Sequence, residues 1–408
     1  MILVKLQRVY FLILPSLLTA MTGVGVGDLA TASFVGAHLG LAVLWAILLG
    51  GVFKFVLTEG IARWQLASNL SVIQGGIIHL KLPFILFMAI YFIPWCWFVG
   101  GALINAAGVA GKEIAFLFGW DVSKTSTGIA HSVLALAVLL IGKQKLFDKA
   151  MSLLAALLFV IVIACTLLVP IDAMAVVKGL LAFQLPVKQG ALSWTLALMG
   201  GVGGTLTILC YGYWLAGSER QGVVGLQTSR LDIAISYSLT CLFGICMLII
   251  GSVAVQEGKG LSLLLSISQY FSQNIHPLLG SFFLFAAWAA IFSSMLGVWQ
   301  SVPLIFADAY YKIKQRNFAL EDLPHTSAYK GWLVTLAVVP MFSLVFSFQE
   351  MQKLYSLIGS LFMPILAFTL LYLNNKYISK EFKNSTFINV CLALVFLFFV
   401  ATGLYKLL

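Results

Sequence analysis

An apolar segment that runs from Val9 to about Leu39 is interrupted by the stretch Gly23–Asp28, which reads GVGVGD. Each glycine costs about 1 kcal/mol relative to alanine in a helix interior. Inside a membrane, such an interruption is tolerated only where the backbone packs against protein or lines a cavity. A carboxylate at the depth of the bilayer marks a candidate functional site. The segment therefore predicts a broken membrane helix with Asp28 at the break.

A second interruption of the same kind lies far along the chain at Gly200–Thr205, which reads GGVGGT. Paired interrupted segments in corresponding halves of a chain point to the central binding site of a secondary transporter. The two breaks are five apolar segments apart. This spacing predicts two inverted five-helix repeats, which is the arrangement that alternating access around a midplane site requires.

The composition makes the chain an all-α polytopic membrane protein, because 61% of its 408 residues are hydrophobic, 9% are charged and the mean hydropathy is +1.04. At roughly 20 residues for each span, we count eleven transmembrane helices. The first apolar run is too long for a cleavable signal peptide and lacks a small-residue cleavage site. The predicted spans are 9–38 (broken), 40–66, 83–110, 126–142, 149–170, 192–215 (broken), 232–255, 277–307, 330–348, 351–373 and 386–406.

The net charge of +10 is a topology signal, because lysine and arginine concentrate in alternate loops. With the N-terminus in the cytoplasm, the cytoplasmic loops hold more than twice as many of these residues as the external loops. The positive-inside rule then predicts a protein of the plasma (inner) membrane with a cytoplasmic N-terminus and an external C-terminus. The lipid bilayer is the partner that this charge suits, and no nucleic acid partner is expected.

The spans divide into a first repeat over residues 1–170, a second over 171–375 and a peripheral eleventh helix over 376–408. No soluble domain or nucleotide-binding loop is evident, so we expect transport driven by an ion gradient, and no enzyme activity or cofactor. The six cysteines show neither metal-binding nor disulfide spacing and are expected to be buried apolar residues. A monomer is the expected state.

The second span carries Glu59 and Arg63, which are four residues apart and therefore share one helix face. Pairing would reduce the cost of burying both charges. Two interpretations remain open, namely a structural ion pair near the cytoplasmic interface and a gate or coupling group.

Several short motifs resemble the Nramp family of divalent-metal transporters. The resemblance lies in Gly27-Asp28-Leu29-Ala30-Thr31, Val35-Gly36-Ala37, Leu39-Gly40, Leu44-Trp45, Gly203-Gly204-Thr205, Ser293-Ser294 with Gln300, and Ser360 with Pro364. These positions are similar to the first, sixth, eighth and tenth helices of that family and cover nearly the whole chain. The resemblance implies a leucine-transporter-like inverted-repeat fold.

The motifs that hold the metal in that family are altered here. Its Asp-Pro-Gly-Asn signature aligns with Gly25–Asp28, so Gly25 replaces the metal-binding aspartate and Asp28 the asparagine. Its Met-Pro-His aligns with Thr207–Leu209, its tenth-helix glutamine with Phe362, and a sixth-helix histidine with Trp214. Soft or imidazole ligands select transition metals. The sequence therefore predicts no transition-metal ligands and a rebuilt substrate site.

The polar groups that remain are oxygen atoms and exposed backbone. We predict that substrate contacts Gly25, Gly27, Asp28, Thr31, Gly203, Gly204, Thr205 and Thr207. Asp28, Ser293 and Ser294 are predicted to bind a coupling ion, Na⁺ or H⁺. No catalytic residue is expected.

Two substrates fit this set, both of them small inorganic ions. The leading hypothesis is a cation-coupled oxyanion such as bicarbonate, held by the N–H groups and positive dipole ends of the broken helices. The alternative is a hard divalent cation, Mg²⁺ before Mn²⁺, with Asp28 as ligand. A channel or a non-transporting sensor is a third class, which the two broken helices disfavour.

Overall fold

In the computed structural model, residues 27–141, 159–254 and 263–407 are described, and these residues form helices and connecting loops without a β-strand. Nine of the described helices are long and apolar enough to cross a membrane, and a bent pair, Phe159–Leu168 with Ala173–Leu181, makes a tenth candidate. The all-helical membrane fold is confirmed. Of the predicted eleven spans, the first half of the first span and residues 149–158 lie outside the described residues.

The α-helices are numbered here in chain order. They are α1 Ala32–Leu39, α2 Leu44–Ser68, α3 Val72–His79, α4 Lys81–Leu117, α5 Lys124–Ile141, α6 Phe159–Leu168, α7 Ala173–Leu181, α8 Ala191–Gly201, α9 Cys210–Ala216, α10 Gly222–Ala254, α11 Leu263–Asn274, α12 Pro277–Ile313, α13 Ser327–Val338, α14 Phe348–Lys376 and α15 Thr386–Leu407. A π-helical turn, Gly27–Thr31, precedes α1, and 3₁₀ turns lie at Gly40–Val43, Leu206–Leu209, Leu320–His325 and Val339–Val345.

The largest difference from the predicted boundaries lies before the seventh span, where α10 begins at Gly222 and not near residue 232. The residues before the predicted span 232–255 are polar, which is typical of a connecting loop, yet Asp232 is 2% exposed. Its carboxylate is 2.6 Å from Nη1 of Arg220, which is also buried. Pairing reduces the cost of burying these charges, so the polar stretch can continue the helix into the protein.

Small residues let the first and seventh spans cross closely. A Cβ atom at Gly36 of α1 would overlap the backbone of Leu248 in α10, and one at Gly251 would overlap Ser33. Membrane helices use such small residues to bring their backbones together. This contact fixes α1, and the π-helical turn before it, against α10.

The predicted break in the sixth span is confirmed. Helix α8 ends at Gly201, and helical backbone resumes only at Leu206. Gly203 and Gly204 have φ values of +67° and +85°, a region that favours glycine because a side chain would clash there. The chain therefore leaves the helix at the two glycines.

The break in the first span is described from Gly27 onwards, and Gly23–Val26 lie outside the described residues. The π-helical turn Gly27–Thr31 contacts α8, α10 and α14. A Cβ atom built on Gly27 would lie 3.5 Å from the carbonyl oxygen of Gly201. The two interrupted segments thus face each other inside the bundle, as the sequence predicts.

Candidate functional site

Asp28 lies in the π-helical turn and is 2% exposed. Its Oδ2 accepts a hydrogen bond of 3.4 Å from the backbone N–H of Gly203 at the opposite break. Its Oδ1 is buried and has no hydrogen-bond partner among the described residues. A buried acceptor without a partner costs about 1–3 kcal/mol, and more when it is charged. Asp28 therefore joins the two breaks and leaves one oxygen available to a ligand.

One turn further on, Thr31 belongs to a second polar group, shared with α14. The amide nitrogen Nε2 of Gln352 donates to Thr31 Oγ1 and to Ser356 Oγ, both at 3.1 Å, and the two hydroxyl oxygens are 3.3 Å apart. A Cβ atom at Gly201 would lie within 4.0 Å of both hydroxyls. The amide oxygen of Gln352 is buried without a hydrogen-bond partner among the described residues. The group thus presents a second free acceptor beside the break.

Thr205, at the far side of the break, is held by two aromatic residues. Trp95 of α4 donates to its hydroxyl at 2.8 Å, and the hydroxyl lies 3.4 Å from the Tyr355 hydroxyl. Thr205 has φ −119° and ψ −102°, outside the helical region. These hydrogen bonds hold the non-helical backbone in place, as a membrane interior requires.

Lys54 of α2 reaches the same break from the other side. Its side chain is 1% exposed, and Nζ donates to the carbonyl oxygens of Gly200, at 3.1 Å, and Gly204. Gly200 is in the last turn of α8, where backbone carbonyls lose their intrahelical partners. The ammonium therefore caps the carboxyl end of α8.

A separate cluster of charges lies one turn beyond Lys54 on α2. Glu59 forms an ion pair with Arg63 of the same helix, and its Oε1 is also 2.9 Å from Nε of Arg230 in α10. Arg63 further donates to the carbonyl oxygen of Phe382, at 2.8 Å. Glu59 and Arg63 are thus buried and paired, and they tie α2 to α10 and to the loop before α15.

The other predicted site residues are on neighbouring elements. Thr207 is buried in the 3₁₀ turn after the break. Ser293, in α12, donates within its own helix to the carbonyl oxygen of Ala290, at 3.0 Å, and its neighbour Ser294 is also buried. The predicted role of Ser293 and Ser294 in binding a coupling ion stays a prediction. Gly25 lies outside the described residues.

Sequence reasoning missed Lys54 and Gln352. Lys54 lies within the predicted span 40–66, and an intramembrane lysine is a functional candidate by default. Gln352 lies at the very start of the predicted tenth span, where a polar residue suggests the interface. Helix α14 begins earlier, at Phe348, and so carries Gln352 inward. Phe362, at the position aligned with a family glutamine, is buried and stacks on Tyr91 with ring centres 5.5 Å apart.

The donors that meet at the break are a carboxylate, an amide and hydroxyls. Among the described residues there is no group of three or more His, Cys, Asp or Glu side chains that could hold a metal. The nearby thiol of Cys241 is 3.5 Å from the carbonyl oxygen of Ile47 and is directed towards it. The oxygen donors suit a hard cation better than a soft one.

Solved structures share this fold. A manganese transporter of Eremococcus coleocola, in complex with an aromatic bis-isothiourea compound, is 18% identical with a TM-score of 0.70, covering 97% of this chain and 86% of that one. Mhp1, a nucleobase-cation-symport-1 transporter, is 13% identical with a TM-score of 0.64, covering 97% and 92%. MhsT with bound L-phenylalanine is 15% identical with a TM-score of 0.58, covering 96% and 97%. The chain has the leucine-transporter-like fold.

Comparison at the level of sequence identifies the family. No curated protein matches the chain. The family model described as "Natural resistance-associated macrophage protein-like" matches residues 16–408, which includes both breaks and all of the described site. The chain is therefore an integral membrane protein that belongs to the Nramp family.

Proposed function

We propose that the protein is a secondary-active transporter of a hard divalent cation, with Mg²⁺ as the reference substrate. The transporter works by alternating access and catalyses no chemical conversion. The observation that carries the proposal is the pair of buried oxygen atoms, Asp28 Oδ1 and Gln352 Oε1, that have no hydrogen-bond partner among the described residues. Both flank Thr31, and both belong to segments that meet at the break.

The chemistry of these two atoms favours a cation over an anion. A carboxylate oxygen and an amide oxygen are hydrogen-bond acceptors, so bicarbonate, whose O–H group is its single donor, leaves at least one of them unsatisfied. A metal ion or its bound water satisfies them. The sequence favoured a bicarbonate-like oxyanion, but membership of the Nramp family fits the divalent-cation alternative better.

The donor types favour Mg²⁺ over Mn²⁺. Mg²⁺ usually keeps several waters and is held by one or two carboxylates, whereas softer metals gain from imidazole and sulfur ligands. The site supplies the single carboxylate of Asp28, with Gln352, Thr31 and Ser356 as neutral oxygen groups. Because Asp28 is buried, the substrate can enter only when the surrounding helices move.

Equilibrium binding to the purified protein tests the proposal. Isothermal titration with MgCl₂, MnCl₂ and sodium bicarbonate is compared for the wild type and for Asp28→Asn, which keeps the shape but removes the charge. We expect Mg²⁺ to bind the wild type and Asp28→Asn to lose at least about tenfold in affinity, because hydrogen bonds and contacts to a charged group contribute about 1.5–3 kcal/mol each.

The matched control is Asp121→Asn, which changes an exposed carboxylate between α4 and α5. It should bind Mg²⁺ as the wild type does. Bicarbonate binding that survives in Asp28→Asn, without Mg²⁺ binding to the wild type, would overturn the proposal in favour of the anion hypothesis. Binding of Mn²⁺ at least as tight as that of Mg²⁺ would overturn the preference for a hard cation.

A further inference from the structure

Lys54 presents a cation to the end of a broken helix, where transporters of this architecture bind free ions. Unwound backbone carbonyls and the carboxyl ends of half-helices coordinate Na⁺ in such folds. Here the two carbonyl oxygens, from Gly200 and Gly204, both accept from the Lys54 ammonium. An ammonium group and an alkali cation have the same charge and use the same oxygen ligands.

We propose that Lys54 Nζ is a tethered cation that fills a monovalent-cation site at the carboxyl end of α8, so that the protein needs no free Na⁺ or K⁺ there. This inference is independent of the transported substrate. It also departs from the expectation that Asp28, Ser293 and Ser294 form a Na⁺ site, since Ser293 is directed to its own helix.

Among the described residues, Lys54 is the cation that hydrogen-bonds to the carbonyl oxygens of the break. Its Nζ contacts the carbonyl oxygens of Gly200 and Gly204, and Tyr237 of α10 packs against Gly203 at the same break. The hydroxyl of Tyr237 is hydrogen-bonded to Oγ1 of Thr58, at 2.7 Å, and Thr58 is one turn along α2 from Lys54. The two carbonyl dipoles at this end of α8 therefore attract one cation, which Lys54 supplies.

A simpler reading is that Lys54 only caps the last carbonyls of α8, as basic residues commonly do. The two readings differ in what happens when the ammonium is removed. If Lys54 is only a cap, its removal leaves a less stable protein whose stability does not depend on which monovalent cation is present. A tethered cation that is lost leaves a site that a free cation can occupy, which stabilises the folded state as the ion concentration rises.

The experiment measures thermal unfolding of purified full-length protein in detergent against increasing NaCl, KCl or choline chloride. The test variant is Lys54→Met, which keeps the length and apolar stem. We expect its Tm to rise saturably, by about 5 °C, with NaCl or KCl relative to choline chloride. The wild type and Lys54→Arg, which keeps a permanent charge, should show no such difference.

Lys124→Met is the matched control, because Lys124 also donates to a backbone carbonyl, that of Phe346, at 3.1 Å, but far from the break. It should not respond to Na⁺ or K⁺. A folded Lys54→Met that is equally stable in all three salts would overturn the proposal, as would a wild type that responds to Na⁺ as strongly as the variant. If Lys54→Met is purified unfolded in choline chloride, the proposal requires NaCl or KCl to recover folded protein, and failure of both salts overturns it.

The outcome is separable from that of the proposed function. Mg²⁺ binding that depends on Asp28, together with a Lys54→Met variant indifferent to monovalent ions, would reject the tethered cation alone. A Na⁺ site in Lys54→Met, together with no divalent binding in any variant, would reject the divalent substrate alone.

Discussion

Helix α2 buries two groups of charge a single turn apart, and they are paired to different degrees. Glu59 has two cationic partners, Arg63 and Arg230, and Arg63 has a further backbone partner in Phe382. Lys54 donates to two backbone carbonyls, and the Asp28 carboxylate keeps one oxygen without a partner among the described residues. The Glu59 group is closed, because its charges are paired within the protein. The Asp28 group is open, because one of its oxygen atoms is left for a ligand.

This difference in pairing distinguishes a structural cluster, around Glu59, from the proposed binding site, around Asp28. Desolvating a charge costs several kcal/mol unless good geometry and hydrogen bonds compensate it. The Glu59 cluster is compensated within the protein, so it needs nothing further. The Asp28 region is compensated only in part, and a substrate cation would complete it. Unequal pairing of the two neighbouring clusters thus supports the proposed binding site at Asp28.

The largest expected effect on stability comes from disrupting the closed cluster around Glu59. Glu59→Gln removes the carboxylate and leaves Arg63 buried without its charge partner, so we expect a loss of about 3–5 kcal/mol in the free energy of unfolding. Asp28→Asn, in contrast, should cost less than Glu59→Gln, because the native carboxylate is itself incompletely paired and Lys54 keeps both of its carbonyl partners. Thermal or denaturant unfolding in detergent measures both.

The exposed Glu321→Gln serves as the control for Glu59→Gln, since it changes a carboxylate in the 3₁₀ turn Leu320–His325. It should leave the stability unchanged. A destabilisation by Asp28→Asn equal to that of Glu59→Gln would show that both clusters are structural and would remove the contrast on which the site assignment rests.

A smaller effect is expected at the backbone of the open region. Gly203→Ala places a Cβ atom at φ +67° and 2.6 Å from Cε1 of Tyr237, so we expect a loss of about 1–3 kcal/mol and weaker substrate binding. Gly331→Ala, in α13 and without a neighbour within 4 Å, should instead be neutral or slightly stabilising. Unfolding of the two variants, measured side by side, tests this. Equal stabilities would mean that the break has no fixed geometry.

The fold was accessible from the sequence because apolar runs, glycine clusters and the family motifs all report on it. The break at Gly203 and the burial of Asp28 follow from local composition. The polar group beside Asp28 does not, because Gln352 is more than 300 residues from Thr31 along the chain and is brought to it by the packing of α14. The same holds for Lys54. Its hydrogen-bond partners are backbone carbonyls, which every residue has, so the sequence does not identify them. The predicted inverted repeats and terminal orientations remain predictions.

Uptake into proteoliposomes tests the central claim most directly, namely that this Nramp-family protein transports a hard divalent cation through a site that contains Asp28. Initial rates of Mg²⁺ uptake are measured against Mg²⁺ concentration, with and without imposed Na⁺ and H⁺ gradients, for the wild type, Asp28→Asn and Asp121→Asn. The account predicts saturable uptake by the wild type and Asp121→Asn, and uptake at the level of empty vesicles for Asp28→Asn. Saturable Mg²⁺ uptake by Asp28→Asn at the wild-type rate, or gradient-dependent uptake of radiolabelled bicarbonate without any of Mg²⁺, would contradict it.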